Sequence, residues 1–145
     1  MRTHAFNVHT PSTIDEAVKT AKKLADNGIE FDWISGGTAL IPNYKWGINP
    51  KSDVISLAGV GEIGGVSQFR IGAMARLQDI VESTEVHPLI SETASSVASI
   101  MIRRSGTLCG NLCLDTRCFW LNQSETWRRS IDYCHKCDEG TGADC

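Results

Sequence analysis

Residues 31–42, FDWISGGTALIP, decide the fold. Phe31 to Ile34 combine aromatic and branched apolar side chains and read as a short buried strand. They run directly into Ser35-Gly36-Gly37-Thr38, after which Ala39-Leu40-Ile41-Pro42 enters a short helix. A strand that stops at Gly-Gly-Thr and enters a helix is suited to an anion. Glycines let the backbone approach a phosphate closely, several N–H groups then point at it, and the helix start adds its dipole. Thr38 offers a hydroxyl to the same oxygens. By itself the motif specifies no more than a tight turn. Its spacing is neither G-x-G-x-x-G nor a P-loop, and no Gly-Lys-Ser/Thr occurs anywhere, so the common nucleotide signatures are absent.

On the N-terminal side, Ala5 to Val8 can start a strand, and residues 11–28, PSTIDEAVKTAKKLADNG, form the strongest helix pattern. Thr13 with Glu16 makes a capping box, Asp15 and Glu16 suit the first turn, and Gly28 suits the stop. Ala17, Val18, Ala21, Leu24 and Ala25 make the apolar face. On the C-terminal side, Asp53 to Leu57 and Val66 to Ile71 read as strands, with a turn at Gly64-Gly65. Leu77 to Glu82 reads as a short helix. His87-Pro88 opens a longer one, Leu89 to Met101, with Ala94, Val97, Ala98 and Met101 on one face. Arg103-Arg104-Ser105-Gly106 ends it. A second glycine turn follows, Thr107-Leu108-Cys109-Gly110-Asn111. Two such turns can grip the two ends of a dinucleotide, with Asp115 as an acceptor for ribose or ribityl hydroxyls. Asn111 and Asp115 are equally ordinary loop caps. Arg103 and Arg104 read either as a phosphate-attracting pair or as a solvated patch.

The 145 residues suffice for one compact domain or two small lobes. A net charge of -3 excludes the strongly basic balance of a nucleic-acid binder. No apolar run approaches a membrane span, and the N-terminus is polar rather than signal-like, so the expected location is the cytoplasm. Four of the six cysteines, Cys118, Cys134, Cys137 and Cys145, fall in the last 28 residues. In a reducing compartment such a cluster points to ligands or redox groups before disulfides. Zinc is one candidate, held by Cys118, Cys134 and Cys137 with Cys145 or His135. An iron–sulfur cluster held by four thiolates is the other, with Phe119, Trp120, Trp127 and Tyr133 as its shield or as ordinary packing. The abrupt end at Cys145 suggests a fragment of a longer subunit.

Taken together, SGGTALIPNYKWGI (35–48) and IRRSGTLCGNLCLDTRC (102–118) resemble the two flavin loops of the FAD-binding subunit in the xanthine dehydrogenase or molybdenum hydroxylase family. ISLAGV, FRIGAMARLQDI and HPLISETASSVASIMIR fit the same family in order. Within it, the chain is most similar to the FAD subunit of the 4-hydroxybenzoyl-CoA reductase type, through LDTRC followed by NQSETWRRS (122–130) and further cysteines. The resemblance implies an α+β fold of FAD-binding type 2 (PCMH-like). Two small α/β lobes, residues 1–57 and 58–117, would carry a cysteine-rich insertion at 118–145, with the C-terminal lobe absent. It implies an oxidoreductase subunit in electron transfer, serving a complex that reduces or hydroxylates an aromatic acyl-CoA. Its cofactors would be FAD and a [4Fe-4S] cluster. Its partners would be a molybdopterin-containing large subunit, a [2Fe-2S] small subunit and a ferredoxin-type or other electron carrier.

Carried onto this sequence, Ser35, Gly36, Gly37, Thr38, Ala39, Leu40, Ile41 and Pro42 would wrap the FAD pyrophosphate and ribityl. Val97 and Met101 would line the flavin. Gly106, Thr107, Leu108, Cys109, Gly110, Asn111 and Asp115 would complete the site. Cys118 and Cys134 match the first two cluster ligands and Cys145 the third, with Cys137 available as the fourth. No residue is assigned a catalytic role. Two departures stand out: Ala39 where the family carries an acid, and Cys109 where it carries the first glycine of Gly-Gly-Asn. A side chain at Cys109 would crowd a close phosphate approach. Cys113 reads as a small packed residue. The rival readings are a zinc-binding interaction module and a FAD-type fold that has lost its cofactors.

Overall fold

The computed structural model describes residues 4–114, 118–134, 138 and 140. A three-stranded parallel sheet in the order β1-β3-β2 organises the first part of the chain, from β1 (Asn7–His9), β2 (Phe31–Ile34) and β3 (Asp53–Ser56). Asn7 and Phe31 both pair with Asp53, and Ile34 pairs with Ser56. Helix α1 (Ile14–Asp26) links β1 to β2 and packs on β3; α2 (Leu40–Lys45) links β2 to β3. The central strand is the buried one: Val54 and Ile55 are wholly inaccessible. β2 lies at the edge with Trp33 45% exposed, so the expectation of a buried strand there is corrected.

α1 forms where the periodicity places it, but its cap differs in one respect. The Thr13 hydroxyl accepts from Glu16 N–H at 3.2 Å, as expected. The Glu16 carboxylate instead reaches back to Ser12, accepting from its N–H and hydroxyl at 2.8 and 2.7 Å. The buried stripe is also narrower than the apolar pattern. Ala17 and Leu24 are buried, while Val18 and Ala25 face out.

The second part packs helices α3 (Leu77–Glu82), α4 (Pro88–Ser95), α5 (Ile100–Arg103) and α6 (Leu108–Leu112). Their core is Ala75, Leu77, Ile80, Val86 and Ala94. Two expectations fail here. Residues 66–71 hold a single antiparallel bridge, Val66 to Ile71, rather than a strand. The long helix over 89–101 is broken between α4 and α5, with Ala98 at φ 47°. The Arg103 guanidinium explains the break. It donates to the carbonyls of Ser95, Val97 and Ala98 at 2.9–3.0 Å, taking oxygens that a continuous helix would use itself. Arg103 is thus neither a phosphate ligand nor part of a solvated patch.

The cysteine-rich segment is anchored on the first part. Helix α7 (Glu125–Ser130) begins with Glu125 N–H donating to the Trp46 carbonyl at 3.0 Å. Arg128, completely buried, donates to the carbonyls of Gly47 and Gln123 at 2.9 and 2.7 Å and to the Asp138 carboxylate at 2.8 Å. A buried charge needs that degree of pairing, or its desolvation is uncompensated.

Candidate functional site

The two glycine turns meet. β2 ends at Ile34, whose carbonyl accepts from Leu57 N–H at 2.9 Å, so the chain leaves the sheet edge at Ser35. Gly36 then passes so close to the other turn that a Cβ there would lie 1.9 Å from the Ser105 carbonyl oxygen. Only glycine fits that crossing. Gly37 takes φ 67°, which aims the chain into α2. From the opposite side the Thr107 hydroxyl caps α6, accepting from Gly110 N–H at 3.2 Å, and lies 3.0 Å from Ser35 Oγ. Thr107 is buried, so this contact holds the turns together away from water.

Between the turns lies a cavity of about 510 Å³. Ser35 to Leu40 form one wall, and Gly106, Thr107, Cys109, Gly110 and Asn111 form another. Val97 contributes from beyond the end of α4. Several of the residues expected at a site are not on this wall. Ile41 and Pro42 lie within α2, Leu108 packs on the helical core, and Met101 is 68% exposed. The break before α5 rotates the chain, and Ile102 takes the place expected of Met101. Asp115, Cys137, Cys145 and His135 lie outside the described residues. No sequence pattern marks the walls contributed by Asp32, Trp33, Leu57, Met74 and Leu77, which enter only through the packing of the two parts.

The two turns differ in what their backbones can offer. In the second, every amide from Leu108 to Asn111 is engaged: with the carbonyls of Ala75, Ala73 and Thr107 for Leu108, Cys109 and Asn111, and with the Thr107 hydroxyl for Gly110. In the first, the amides of Gly36, Gly37, Thr38, Ala39 and Leu40 donate to no group among the described residues. A run of five undirected amides beside a cavity is the donor set an anion requires. Among the described residues Asp32 is the one charged side chain on the wall, and its carboxylate accepts the Tyr44 hydroxyl at 2.8 Å. Among the described residues, the donors an anion would meet on this wall are amides and hydroxyls. Burial, with the same carboxylate contact added, pushes Tyr44 well above the ordinary tyrosine range.

Cys113 differs from the reading of a small packed residue, and it pairs with Cys109. Their sulfurs lie 3.4 Å apart across one turn, and Cys113 is exposed. Cys118 and Cys134 come together in a separate cluster with Ile48 and Leu121, where Cys134 is buried. In the same segment Phe119, Trp120 and Trp127 group with ring centroids 5.5–5.8 Å apart, Phe119 standing edge-on to both tryptophans. Among the described residues no three His, Cys, Asp or Glu side chains gather as a metal-holding group. Nor is any described helix long and apolar enough to cross a membrane.

Residues 4–121 match the model of the FAD binding domain in molybdopterin dehydrogenase. The chain is 30% identical over 122 residues to caffeine dehydrogenase subunit beta of Pseudomonas sp. strain CBB1, covering 78% of this chain and 40% of that protein. It is 29% identical over 114 residues to the carbon monoxide dehydrogenase medium chain of Hydrogenophaga pseudoflava, covering 74% and 39%. Among solved structures, the reconstituted CO dehydrogenase from Oligotropha carboxidovorans superposes with a TM-score of 0.69 at 29% identity, over 77% of this chain and 40% of that one. The chain thus spans about 40% of the length of the relatives it matches.

Proposed function

This chain belongs to the family of FAD-binding domains in molybdopterin dehydrogenases, and from that premise we propose that it is the FAD-carrying portion of an electron-transfer subunit in a multi-subunit oxidoreductase. The observation that carries the reading is the run of amides from Gly36 to Leu40 with no acceptor among the described residues, in residues that line a cavity shared with the second turn. Those amides, with the hydroxyls of Ser35 and Thr38, hold the FAD pyrophosphate. Val97 and Ile102 supply apolar surface for a ring, and Gly106, Thr107, Gly110 and Asn111 close the opposite side. Because Leu108 to Asn111 have no free amide, the second turn contributes shape and the Asn111 side chain rather than a second phosphate cradle. Bound there, FAD supplies the capacity to accept electrons and pass them on.

The cysteine-rich segment carries the finer part of the proposal. Cys134 in the apolar cluster and Cys118 packed against it supply two of the thiolates of a [4Fe-4S] cluster, and Cys137 and Cys145 supply the others. The half-buried Trp120 and Trp127 of the same segment would limit water at such a centre. Residues 1–57 and 58–117 act as the two FAD-binding lobes, and residues 118–145 as the cluster-bearing insertion. The partners are a molybdopterin-containing large subunit and a [2Fe-2S] small subunit, with a ferredoxin-type or other carrier exchanging electrons. The reaction served is reduction or hydroxylation of an aromatic acyl-CoA of the 4-hydroxybenzoyl-CoA kind, in the cytoplasm.

Anaerobic purification followed by visible and EPR spectroscopy, with metal analysis, tests the reading. Flavin bands together with a broad iron–sulfur absorption support it. Colourless protein with stoichiometric zinc would instead identify the segment as a zinc module.

A further inference from the structure

We propose that Cys109 and Cys113 form a thiol–disulfide exchange site on the wall of the cavity, which low-molecular-weight disulfides convert reversibly to an intramolecular disulfide. The two sulfurs are 3.4 Å apart, in the geometry of a shared S–H hydrogen bond. Both residues line the cavity, and the Cys113 side of the pair is open to solvent. The site is separate from the Cys118 and Cys134 cluster and does not depend on an iron–sulfur centre there.

The order of events follows from exposure. The Cys113 thiolate attacks one sulfur of the small disulfide, that S–S bond breaks, and one small thiolate leaves. Cys109 then loses its proton, attacks Cys113 Sγ and expels the second small thiolate. The protein dithiol is oxidised by two electrons, and the small disulfide is reduced to two thiols that take up the two protons. Cys109 suits the second role, because the hydrogen bond to Cys113 and its partial burial keep its thiol protonated above the ordinary cysteine range.

Local geometry makes the product labile. Side chains four apart on a helix have Cβ atoms about 5–6 Å apart, whereas a disulfide needs roughly 3.5–4.5 Å. Closure must therefore draw in the end of α6. That end can yield: the helix has five residues, and Cys113 already stands outside it as the C-cap, tied back by its N–H to the Cys109 carbonyl at 2.8 Å. Strained disulfides are the more easily reduced ones, which suits a reversible switch rather than a structural bridge. The segment drawn in begins at Thr107, the residue that joins the second turn to Ser35 of the first.

Trypsin isolates both cysteines in one peptide, residues 105–117, without a third. The test incubates the whole chain with glutathione disulfide, alkylates it and maps that peptide by mass spectrometry. The expected result is loss of two hydrogens from the unalkylated peptide, reversed by reduced glutathione. Cys109→Ser should instead accumulate a glutathione adduct on Cys113. Full alkylation of both wild-type cysteines after incubation, or linkage of the peptide to Cys118 or Cys134, would overturn the proposal. Because the wild-type peptide is the primary readout, the result does not depend on the variants folding.

Discussion

Replacing Gly36 by alanine probes the crossing on which the site depends. The new Cβ would stand 1.9 Å from the Ser105 carbonyl oxygen and 2.7 Å from its carbonyl carbon, both backbone atoms that cannot rotate away. The two turns must part by more than an ångström to restore normal contact. Overpacking of this kind costs about 1–3 kcal/mol, and the parting also stretches the 3.0 Å contact between Thr107 and Ser35. At this chain length each kcal/mol lowers Tm by about 4 °C, so a fall of roughly 4–12 °C is expected. The larger effect falls on ligand binding. Losing one amide–phosphate hydrogen bond, about 1.5–3 kcal/mol, weakens FAD affinity by about ten- to a hundredfold. Gly61→Ala is the matched control, since nothing lies within 4 Å of the added Cβ. Thermal unfolding and FAD titration by flavin fluorescence read both variants. If Gly36→Ala behaves like Gly61→Ala in both assays, the two turns are not in the contact described and the cavity between them is wrong.

Thr107→Val removes the hydroxyl that accepts from Gly110 N–H and meets Ser35, and should cost about 1–2 kcal/mol in urea unfolding. Arg128→Met removes the guanidinium that pairs with the Asp138 carboxylate and donates to the carbonyls of Gly47 and Gln123. A loss of about 3–5 kcal/mol should appear as protease sensitivity confined to residues 118–138. Hydrogen bonds from His9, Ser52 and Asn7 hold the Asp53 carboxyl below its usual range. Its folded pKa being depressed, its contribution is present above the ordinary value of about 3.9 and is lost as pH falls through the lower folded value. The difference in urea midpoint between wild type and Asp53→Asn should accordingly shrink from pH 7 to pH 3. Cys118→Ser should remove the iron signal while leaving bound flavin largely intact; unchanged iron content would refute that ligand assignment.

What could be read in the sequence was whatever local chemistry decides. Helix α1 was legible because its cap and apolar spacing agree, and its exact cap partner was not, because the Glu16 carboxylate can accept from the N–H of either Ser12 or Thr13 and takes that of Ser12. The strand–turn–helix passage through Ser35-Gly36-Gly37-Thr38 was legible for the same reason: two glycines after an apolar run leave few alternatives. The break between α4 and α5 was hidden, since residues 94–101 carry a helical apolar pattern. It is made by a side chain from beyond the pattern, Arg103, reaching back to three carbonyls. That one contact moves Met101 out to solvent and Ile102 into the wall. The pairing of Cys109 with Cys113 follows from a four-residue spacing that was visible, but only the short helix α6 turns that spacing into proximity. The difference between the turns, one with open amides and one with all amides engaged, depends on Ala73 and Ala75 lying beneath α6.

The most direct test of the account is an amide NMR titration of the chain with FAD. A saturable response is predicted, with the largest shifts at Gly36, Gly37, Thr38, Ala39 and Leu40 and smaller ones at Leu108 to Asn111. Shifts concentrated on Leu108 to Asn111, or no response at residues 36–40 under saturating FAD, would contradict it.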